Sequence, residues 1–257
     1  WPFDKFPTAN RKLGTQMKAT GEVMAIGSTF CESIQKAVRS LECEPNSLFS
    51  ENFKSISQDE LELRLRYPDD QRLFLIMEYL RRGGSIRRLV ELTGICSFFI
   101  DQFQILNEFY NHMSSLQLTR ETLLRAKELG FSDADIAKAQ ECSPRQVREK
   151  RIELQIRPSY QKIETGGLPY YYSTYNYQAE RQTSHISKNS RSVLILGSGP
   201  IRIGQGIEFD YSTVHAAWTL RENGYQAVIV NNNPETVSTD YLTSDRLYFE
   251  PLVEEEV

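Results

Sequence analysis

The strongest constraint on the fold is an apolar run over 193–196 that leads directly into a glycine-rich turn over 197–206. Four consecutive large apolar residues predict a strand that is buried on both faces. A helical pattern follows over 208–223, and two further apolar runs lie at 227–230 and 246–249. This order predicts a βαβ unit that begins an open parallel sheet, with functional residues at the carboxyl ends of its strands.

The glycine-rich turn almost matches two phosphate-binding motifs. A dinucleotide-binding motif that starts at Gly197 needs a glycine at the position that Arg202 occupies. A P-loop that starts at Gly199 needs lysine and then serine or threonine, where this chain has Gln205 and Gly206. Nicotinamide chemistry and P-loop chemistry are therefore both disfavoured.

Charged residues nevertheless collect around this turn. Arg202 supplies a fixed cation, Glu208 and Asp210 supply carboxylates at the start of the helix, and Glu235 follows the next strand. Each of them alone is compatible with a purely structural loop. Together, at the carboxyl ends of adjacent parallel strands, they favour a functional site.

Residues 45–156 have helical periodicity almost throughout. Serine and threonine N-caps open the predicted helices, and glycines close them. The longest apolar stripe has helical spacing, and we predict that it forms the core of a helical bundle. The caps are Ser85, Thr119, Ser132 and Ser143, the stops are Gly83, Gly94 and Gly130, and the stripe consists of Phe99, Phe103, Leu106, Tyr110 and Met113.

Residues 132–151 also have the layout of a DNA-reading helix-turn-helix. The second helix would present Arg145, Arg148 and Arg151 to guanine edges and phosphates. Acidic residues flank these arginines, and the whole chain carries 34 Asp and Glu against 30 Lys and Arg, a formal net charge of -4. A structural pair of short helices is therefore favoured, and no nucleic-acid partner is expected.

The first 44 residues predict a short strand at 23–26 and then a helix. Thr29 and Glu32 have the spacing of a capping box, and the helical pattern continues to Glu42. A strand and one helix cannot form a core alone, so this segment must pack on another layer.

The tyrosine-rich segment 170–177 predicts a connecting segment whose rings pack on a domain surface, and the polar stretch 182–190 predicts a linker. The four cysteines show no metal-binding or redox spacing, which is typical of a reducing compartment. No apolar run is long enough to span a bilayer, so we expect a cytoplasmic protein without a membrane partner. The chain begins at Trp1 and ends within a helix-like start, so we expect it to be a fragment.

Four motifs closely resemble the large chain of carbamoyl-phosphate synthase. GSGPIRIGQGIEFDY at 197–211, VNNNPETVSTD at 230–240 and TSDRLYFEP at 243–251 resemble the beginning of the second synthetase half. TQMKATGEVMAIG at 15–27 resembles the end of the first half. The helical middle resembles the family's oligomerisation domain only weakly, but it lies in the corresponding place.

The resemblance implies three regions in family order. Residues 1–44 would end the first (carboxyphosphate) synthetase half, residues 45–190 would form the helical oligomerisation domain with its linker, and residues 191–257 would begin the second (carbamoyl phosphate) synthetase half. The implied fold class is mainly α. A helical bundle is followed by the first βαβ part of an α/β domain, Rossmann-like and of the pre-ATP-grasp type.

The resemblance also implies an ATP-dependent ligase of the ATP-grasp type. The family makes carbamoyl phosphate from bicarbonate, glutamine-derived ammonia and two ATP. Implied partners are the remainder of the large chain, a glutaminase small chain and further copies through the helical domain. The complete enzyme would use ATP and Mg²⁺ (or Mn²⁺), whereas residues 1–257 are expected to bind neither and to be inactive alone.

The implied site residues belong to the internal channel through which the family passes its carbamate. No catalytic, cofactor-binding or metal-binding residue is expected within this chain. The channel or structural candidates are Met17, Gly21 and Glu22 near the first-half end, with Arg202, Gly206, Glu208 and Glu235 near the second-half mouth. Small glycines leave space, and carboxylates can relay protons in a water-poor passage.

Two alternatives remain beside this reading. A helix-turn-helix regulator rests on residues 132–151 alone. A nucleotide-dependent oxidoreductase rests on the βαβ unit and is weakened by Arg202. The sequence leaves open whether the parent enzyme would serve pyrimidine or arginine biosynthesis, what its effectors are, and which surface self-associates.

Overall fold

A computed structural model describes residues 3, 6–18, 21–42, 46–163, 169–176, 191–201 and 208–257. The chain divides into two compact units. The helical unit comprises residues 1–19 and 43–150, and the α/β unit comprises residues 20–42 and 151–257.

The described residues contain helices, five strands and one short 3₁₀ turn at Val237–Thr239. The helices are α1 (Phe30–Ser40), α2 (Gln58–Arg66), α3 (Arg72–Arg81), α4 (Ile86–Thr93), α5 (Ser97–Met113), α6 (Arg120–Glu128), α7 (Asp133–Ala139), α8 (Pro144–Glu153) and α9 (Glu208–Glu222). The strands are β1 (Ser159–Lys162), β2 (Tyr170–Thr174), β3 (Ser192–Leu196), β4 (Gln226–Asn231) and β5 (Arg246–Phe249). The predicted fold class, a helical domain followed by the start of an α/β domain, is confirmed.

Side-chain caps begin the helices at the predicted residues. Ser85 and Thr119 cap α4 and α6 with their hydroxyl oxygens, and Ser132 forms a reciprocal capping box with Asp135 at α7. Helix α4 ends at Gly94, whose φ of 68° is left-handed. These residues satisfy backbone groups that have no partner within the helix, which is why the sequence marks the helix ends so clearly.

The core of the helical unit consists of apolar side chains that are almost completely buried. Phe49 stacks on Tyr110 with ring centroids 4.1 Å apart and on Phe131 with centroids 5.0 Å apart. Burial of each large side chain contributes about 1.5–3 kcal/mol. The most buried members are Leu61, Leu65, Leu75, Ile76, Leu89, Ile100, Leu106, Leu123, Phe131 and Ile136.

The prediction for the core side of α5 is wrong at one residue, Phe99. Phe103 and Met113 are buried as predicted, but Phe99 is partly exposed and Ile100 is buried in its place. Phe99 and Ile100 stand four and three positions before Phe103, and both spacings bring a side chain to the same helix face. The spacing alone therefore could not choose between them.

The α/β unit contains one five-stranded sheet in the order β1-β2-β5-β4-β3. Strand β4 pairs in parallel with both β3 and β5, and β2 also runs parallel to β5. Strand β1 is antiparallel to β2. The predicted βαβ unit is present as β3, α9 and β4, with β5 as the next parallel strand.

The sheet core is small and lies between β4, β5 and α9. Ala217 of α9 packs with Ala227 and Ile229 of β4 and with Leu247 and Phe249 of β5. Partly buried side chains from the beginning of the chain also pack on this cluster, namely Met24 and Ile26. The segment before α1 thus belongs to the α/β unit.

Two strand predictions are wrong. Strand β3 lies at the sheet edge, and Leu194 and Leu196, which share one face of it, are 49% and 54% exposed, so the run is not buried on both faces. Residues 23–26 are not a strand, because Met24 makes one backbone hydrogen bond, from its N–H to the Asn232 carbonyl oxygen at 2.7 Å, rather than a ladder.

The tyrosine-rich segment is part of the sheet rather than only a connection over its surface. Residues 170–174 form β2 between β1 and β5. Tyr171 stacks on Tyr248 with ring centroids 5.2 Å apart, which adds side-chain packing to the strand pairing. The predicted linker at 182–190 lies outside the described residues.

Within the described ranges, no helix combines the length and the apolar character that crossing a membrane requires.

Candidate functional site

The candidate site lies where β3 and β4 end side by side. Leu196 is the register partner of Val230, so the residues that follow both strands meet at one edge of the sheet. A β-carbon at Gly197 would lie 2.4 Å from Cγ of Asn231, far inside the normal contact distance. Gly197 is therefore required because the backbone passes directly over Asn231.

The buried side chain of Asn231 holds the two turns together. Its Oδ1 accepts hydrogen bonds from the N–H groups of Gly199 at 3.1 Å and Asn232 at 2.9 Å. Its Nδ2 donates to the hydroxyl oxygens of Thr236 at 3.3 Å and Ser238 at 3.0 Å. A fully paired buried amide fixes the geometry of every backbone segment that it touches.

Asn233 adds a second link between the same turns. Its Nδ2 donates to the carbonyl oxygen of Gly199 at 3.2 Å, and its Oδ1 accepts the N–H of Glu235 at 3.0 Å. Gly199 has a φ of 70°, so the turn after β3 is left-handed at this point. Gly199 is therefore hydrogen-bonded on both sides: its N–H binds Asn231 and its carbonyl oxygen binds Asn233.

Asp210 joins the start of α9 to this network. The residue is almost completely buried, and its Oδ2 accepts the N–H of Ser238 at 2.8 Å. Its Oδ1 has no hydrogen-bond partner within the part of the chain that the structure describes. A buried carboxylate oxygen without a donor is unfavourable, and such an atom calls for an explanation, one of which is a functional role.

Residues that precede α1 lie against the same edge. Gly21 has a φ of 82°, and a β-carbon built on it would lie 2.3 Å from the carbonyl oxygen of Ile201. Met24 lies beside the end of β4, where its backbone N–H donates a hydrogen bond to the carbonyl oxygen of Asn232. The structure thus brings together the motif around Gly21 and residues 197–201 at the start of the glycine-rich turn, which are distant in sequence.

A buried ion pair joins α1 to the sheet. Lys36 Nζ lies 3.0 Å from Glu250 Oε2, and both side chains are nearly inaccessible to solvent. Lys36 also donates to the carbonyl oxygen of Ser173 at 2.7 Å and to its hydroxyl oxygen at 3.0 Å. Glu250 Oε1 accepts the N–H of Ser173. Three segments far apart in the sequence therefore converge on one pair of charges.

Burial raises the pKa of Glu250 from its ordinary 4.5 to about 7. The attraction of Lys36 lowers this pKa but does not cancel the cost of placing a carboxylate in the interior. Glu250 is thus a group that can change its protonation near neutral pH. Its contacts are structural, because it touches the backbone of β2 and the side chain of α1.

Neither Lys36 nor Glu250 was among the predicted site residues. The one indication of Glu250 in the sequence is that it is a charged residue directly after the apolar run 246–249. Such a carboxylate is usually solvated, and nothing in its spacing indicates a lysine more than two hundred positions away.

The predicted carboxylates lie at the surface. Glu208 is exposed at the first turn of α9, Glu235 is exposed in the turn after β4, and Glu22 is exposed beside Gly21. Met17 belongs to the helical unit and is 84% exposed. Their assignment to a channel stays a prediction.

The remaining two predicted positions, Arg202 and Gly206, lie outside the described residues. Among the predicted site residues that are described, Gly21 is the one packed directly on the turn after β3.

The arginines of helix α8 have different surroundings. Arg145 pairs with Glu149 at 2.8 Å on the helix surface. Arg151 is buried, and its guanidinium lies 5.8 Å from the ring centroid of Tyr175. Of the three arginines in the helix-turn-helix hypothesis, Arg151 is thus committed to packing, whereas Arg145 remains at the surface beside an acidic neighbour.

The described residues contain no group of three or more His, Cys, Asp or Glu side chains placed to hold a metal ion. The described residues of the site therefore offer no carboxylate cluster of the kind that holds Mg²⁺. What the arrangement can do is hold two turns rigidly and present carboxylates beside them.

Two family models match the chain. The model described as carbamoyl-phosphate synthetase large chain, oligomerisation domain, matches residues 22–155, which is more than half of the chain. The model described as carbamoyl phosphate synthase preATP-grasp domain matches residues 189–257. The second match contains both turns of the candidate site, and the first begins beside Gly21.

Proposed function

Because the chain belongs to the carbamoyl-phosphate synthase large-chain family, we propose that it acts within a cytoplasmic ATP-dependent ligase. The reaction makes carbamoyl phosphate from bicarbonate, glutamine-derived ammonia and two ATP. In this proposal ATP and Mg²⁺ (or Mn²⁺) bind to other parts of the complete enzyme. The observation that carries the proposal is the order of the two matched domains along one chain.

The helical unit would serve subunit association and would link the two synthetase halves. Its matched model is described as an oligomerisation domain, which supports association as its role. The other partners in the proposal are the remainder of the large chain and a glutaminase small chain that supplies ammonia.

The candidate site would form part of the passage for the reactive carbamate. Support comes from the close approach of Gly21 to Ile201 and from the rigid pairing of Asn231 with Gly199. A passage for an unstable anion needs walls that do not move and acidic groups that can hold or relay protons. Glu208 and Glu235 are carboxylates at this edge of the sheet.

The first test measures the complete enzyme with Glu235→Ala. We expect overall synthesis of carbamoyl phosphate to fall while the partial reaction at each ATP site continues, because a passage mutant uncouples two intact sites. The matched control is Glu222→Ala. Glu222 is an exposed carboxylate at the end of α9 that lies opposite to Glu208. Unchanged synthesis in Glu235→Ala, with both partial reactions intact, would show that Glu235 has no role in the passage.

The second test titrates residues 1–257 with Mg-ATP by calorimetry. We expect no binding, because the nucleotide clamps of the family are proposed to lie in other parts of the enzyme. Clear binding at micromolar concentration would show that residues 1–257 contain a nucleotide site. The family assignment would be unaffected.

A further inference from the structure

Helix α5 is apolar on two different sides. Its buried side packs into the helical unit through Ile100, Phe103 and Leu106. A second group of apolar side chains on the same helix remains accessible, with Phe98 54% and Ile105 39% exposed. A surface helix that serves only its own core needs one apolar stripe, so a second stripe indicates a second packing partner.

The second stripe has the spacing of a helix–helix seam. Phe98, Ile105, Phe109 and His112 are separated by seven, four and three positions. A repeat of this kind keeps side chains on one line along a helix and is typical of helices that pack side by side. We call these four residues the α5 stripe.

The α5 stripe borders a surface groove between α5 and α6. The groove has a volume of about 360 Å³, and Ile105, Phe109 and His112 line it from the α5 side. Glu108 stands on the α5 wall and Arg125 on the α6 wall. The groove is thus lined mainly by apolar side chains, together with one acidic and one basic residue on its two helices.

These two charges make the groove complementary to itself. If two copies met across a two-fold axis with the α5 wall of each against the α6 wall of the other, each residue pair would occur twice in reciprocal form. Glu108 would then face a cation and Arg125 an anion. Within one chain Arg125 pairs with Glu128 only at 3.4 Å on the surface, an arrangement that is easily exchanged.

We propose that the α5 stripe is a self-association surface, on which a second copy of this chain packs its own α5 across a two-fold axis. Glu108 of each copy pairs with Arg125 of the partner subunit. This inference rests on the proposed association role of the helical unit and specifies the surface that carries it.

The test measures the association of the full chain by analytical ultracentrifugation, with circular dichroism to verify folding. Ile105→Glu places a charge in the centre of the stripe, and we expect at least about a tenfold weaker association. The matched control is Ile152→Glu on α8, because Ile152 has nearly the same exposure, 40%, on another helix. It is expected to associate like the wild type.

A charge exchange tests the pairing itself. Glu108→Arg alone and Arg125→Glu alone should each weaken association, since each places like charges together. The double variant with both changes should recover most of the wild-type affinity. Failure of the double variant to recover would overturn the pairing between Glu108 and Arg125.

The outcomes separate this inference from the proposed function. If the wild type is monomeric at all concentrations, both the association role and the α5 surface are wrong. If the wild type associates and Ile105→Glu associates equally well, the association role stands and the α5 surface is wrong. Loss of association in both glutamate variants would also overturn the α5 surface, because the effect would not be specific to it.

Discussion

Gly21 packs so closely on Ile201 that a β-carbon on Gly21 would lie 2.3 Å from the Ile201 carbonyl oxygen. The atom that it would meet is backbone, which cannot rotate away as a long side chain can. Gly21 also has a φ of 82°, a conformation that other residues adopt only with strain. This contact ties the segment before α1 to the turn after β3.

We predict that Gly21→Ala destabilises the α/β unit by at least about 2 kcal/mol, because backbone strain and a steric clash act together. Gly224→Ala is the matched control, since Gly224 has a φ of 77° but nothing within 4 Å of an added β-carbon. The control should lose only about 1 kcal/mol. Urea unfolding measures both variants, and equal losses would contradict the importance of the close approach.

The second prediction concerns pH and Glu250, whose pKa is raised by burial from 4.5 to about 7. A carboxyl with a higher pKa in the folded chain binds its proton more tightly there than in the unfolded chain. Its stabilising contribution is therefore complete below 4.5 and is lost as the pH rises through about 7. Glu250→Gln removes this titration and keeps a similar shape.

We expect the wild type to lose free energy of unfolding between about pH 5 and about pH 8 more steeply than Glu250→Gln does. Urea unfolding at a series of pH values gives both slopes. Parallel slopes would mean that Glu250 is ionised over the whole range, with its charge fully compensated by Lys36.

Sequence patterns predicted local features best. The ends of α4, α6 and α7 are fixed by a capping side chain or a glycine within a few residues, so each could be located from the chain alone. The parallel direction of β3 and β4 followed from the rules for βαβ connections, with 246–249 as a candidate for the third strand. Such features depend on neighbours in the sequence.

Long-range burial could not be predicted in the same way. Exposure of one face of β3 depends on which layers cover the sheet, which the apolar run 193–196 does not specify. The pairing of Lys36 with Glu250 depends on docking of α1 against β2 and β5. In the candidate site, the sequence indicated the turns and their charges, but not that Asn231 would join them.

The third prediction tests Asn231 as the organiser of the two turns. Asn231→Ala removes two acceptor contacts and two donor contacts, and leaves the N–H groups of Gly199 and Asn232 without this partner. We expect a loss of about 3 kcal/mol, since each buried unpaired group costs about 1–3 kcal/mol. Asn223→Ala is the control, because Asn223 is exposed and its side chain makes one hydrogen bond, to Thr219.

Hydrogen exchange provides the readout for this variant. Exchange of the Gly199 and Asn232 amides should accelerate in Asn231→Ala while the amides in the centre of β4 remain protected. The control should leave all of these amides unchanged. Uniform acceleration across the α/β unit would instead indicate a general loss of stability without a specific role for Asn231.

The last prediction concerns the aromatic stack in the helical unit. Phe131 is fully buried, and its ring lies 6.1 Å from that of Tyr110. Phe131→Ala should cost about 3–5 kcal/mol through lost burial and the cavity left behind. Leu63→Ala, at an exposed position of α2, should change stability by less than about 0.5 kcal/mol.

The pKa of Tyr110 provides a second measurement for the Phe131→Ala variant. Burial, with a smaller contribution from Asp135, raises the pKa of Tyr110 to about 12. Removing the Phe131 ring admits water beside Tyr110, so its pKa should fall toward the ordinary value of 10. Isotope-labelled tyrosine NMR follows this titration. An unchanged Tyr110 pKa together with a large loss of stability would mean that the cavity collapses and keeps the hydroxyl group dry.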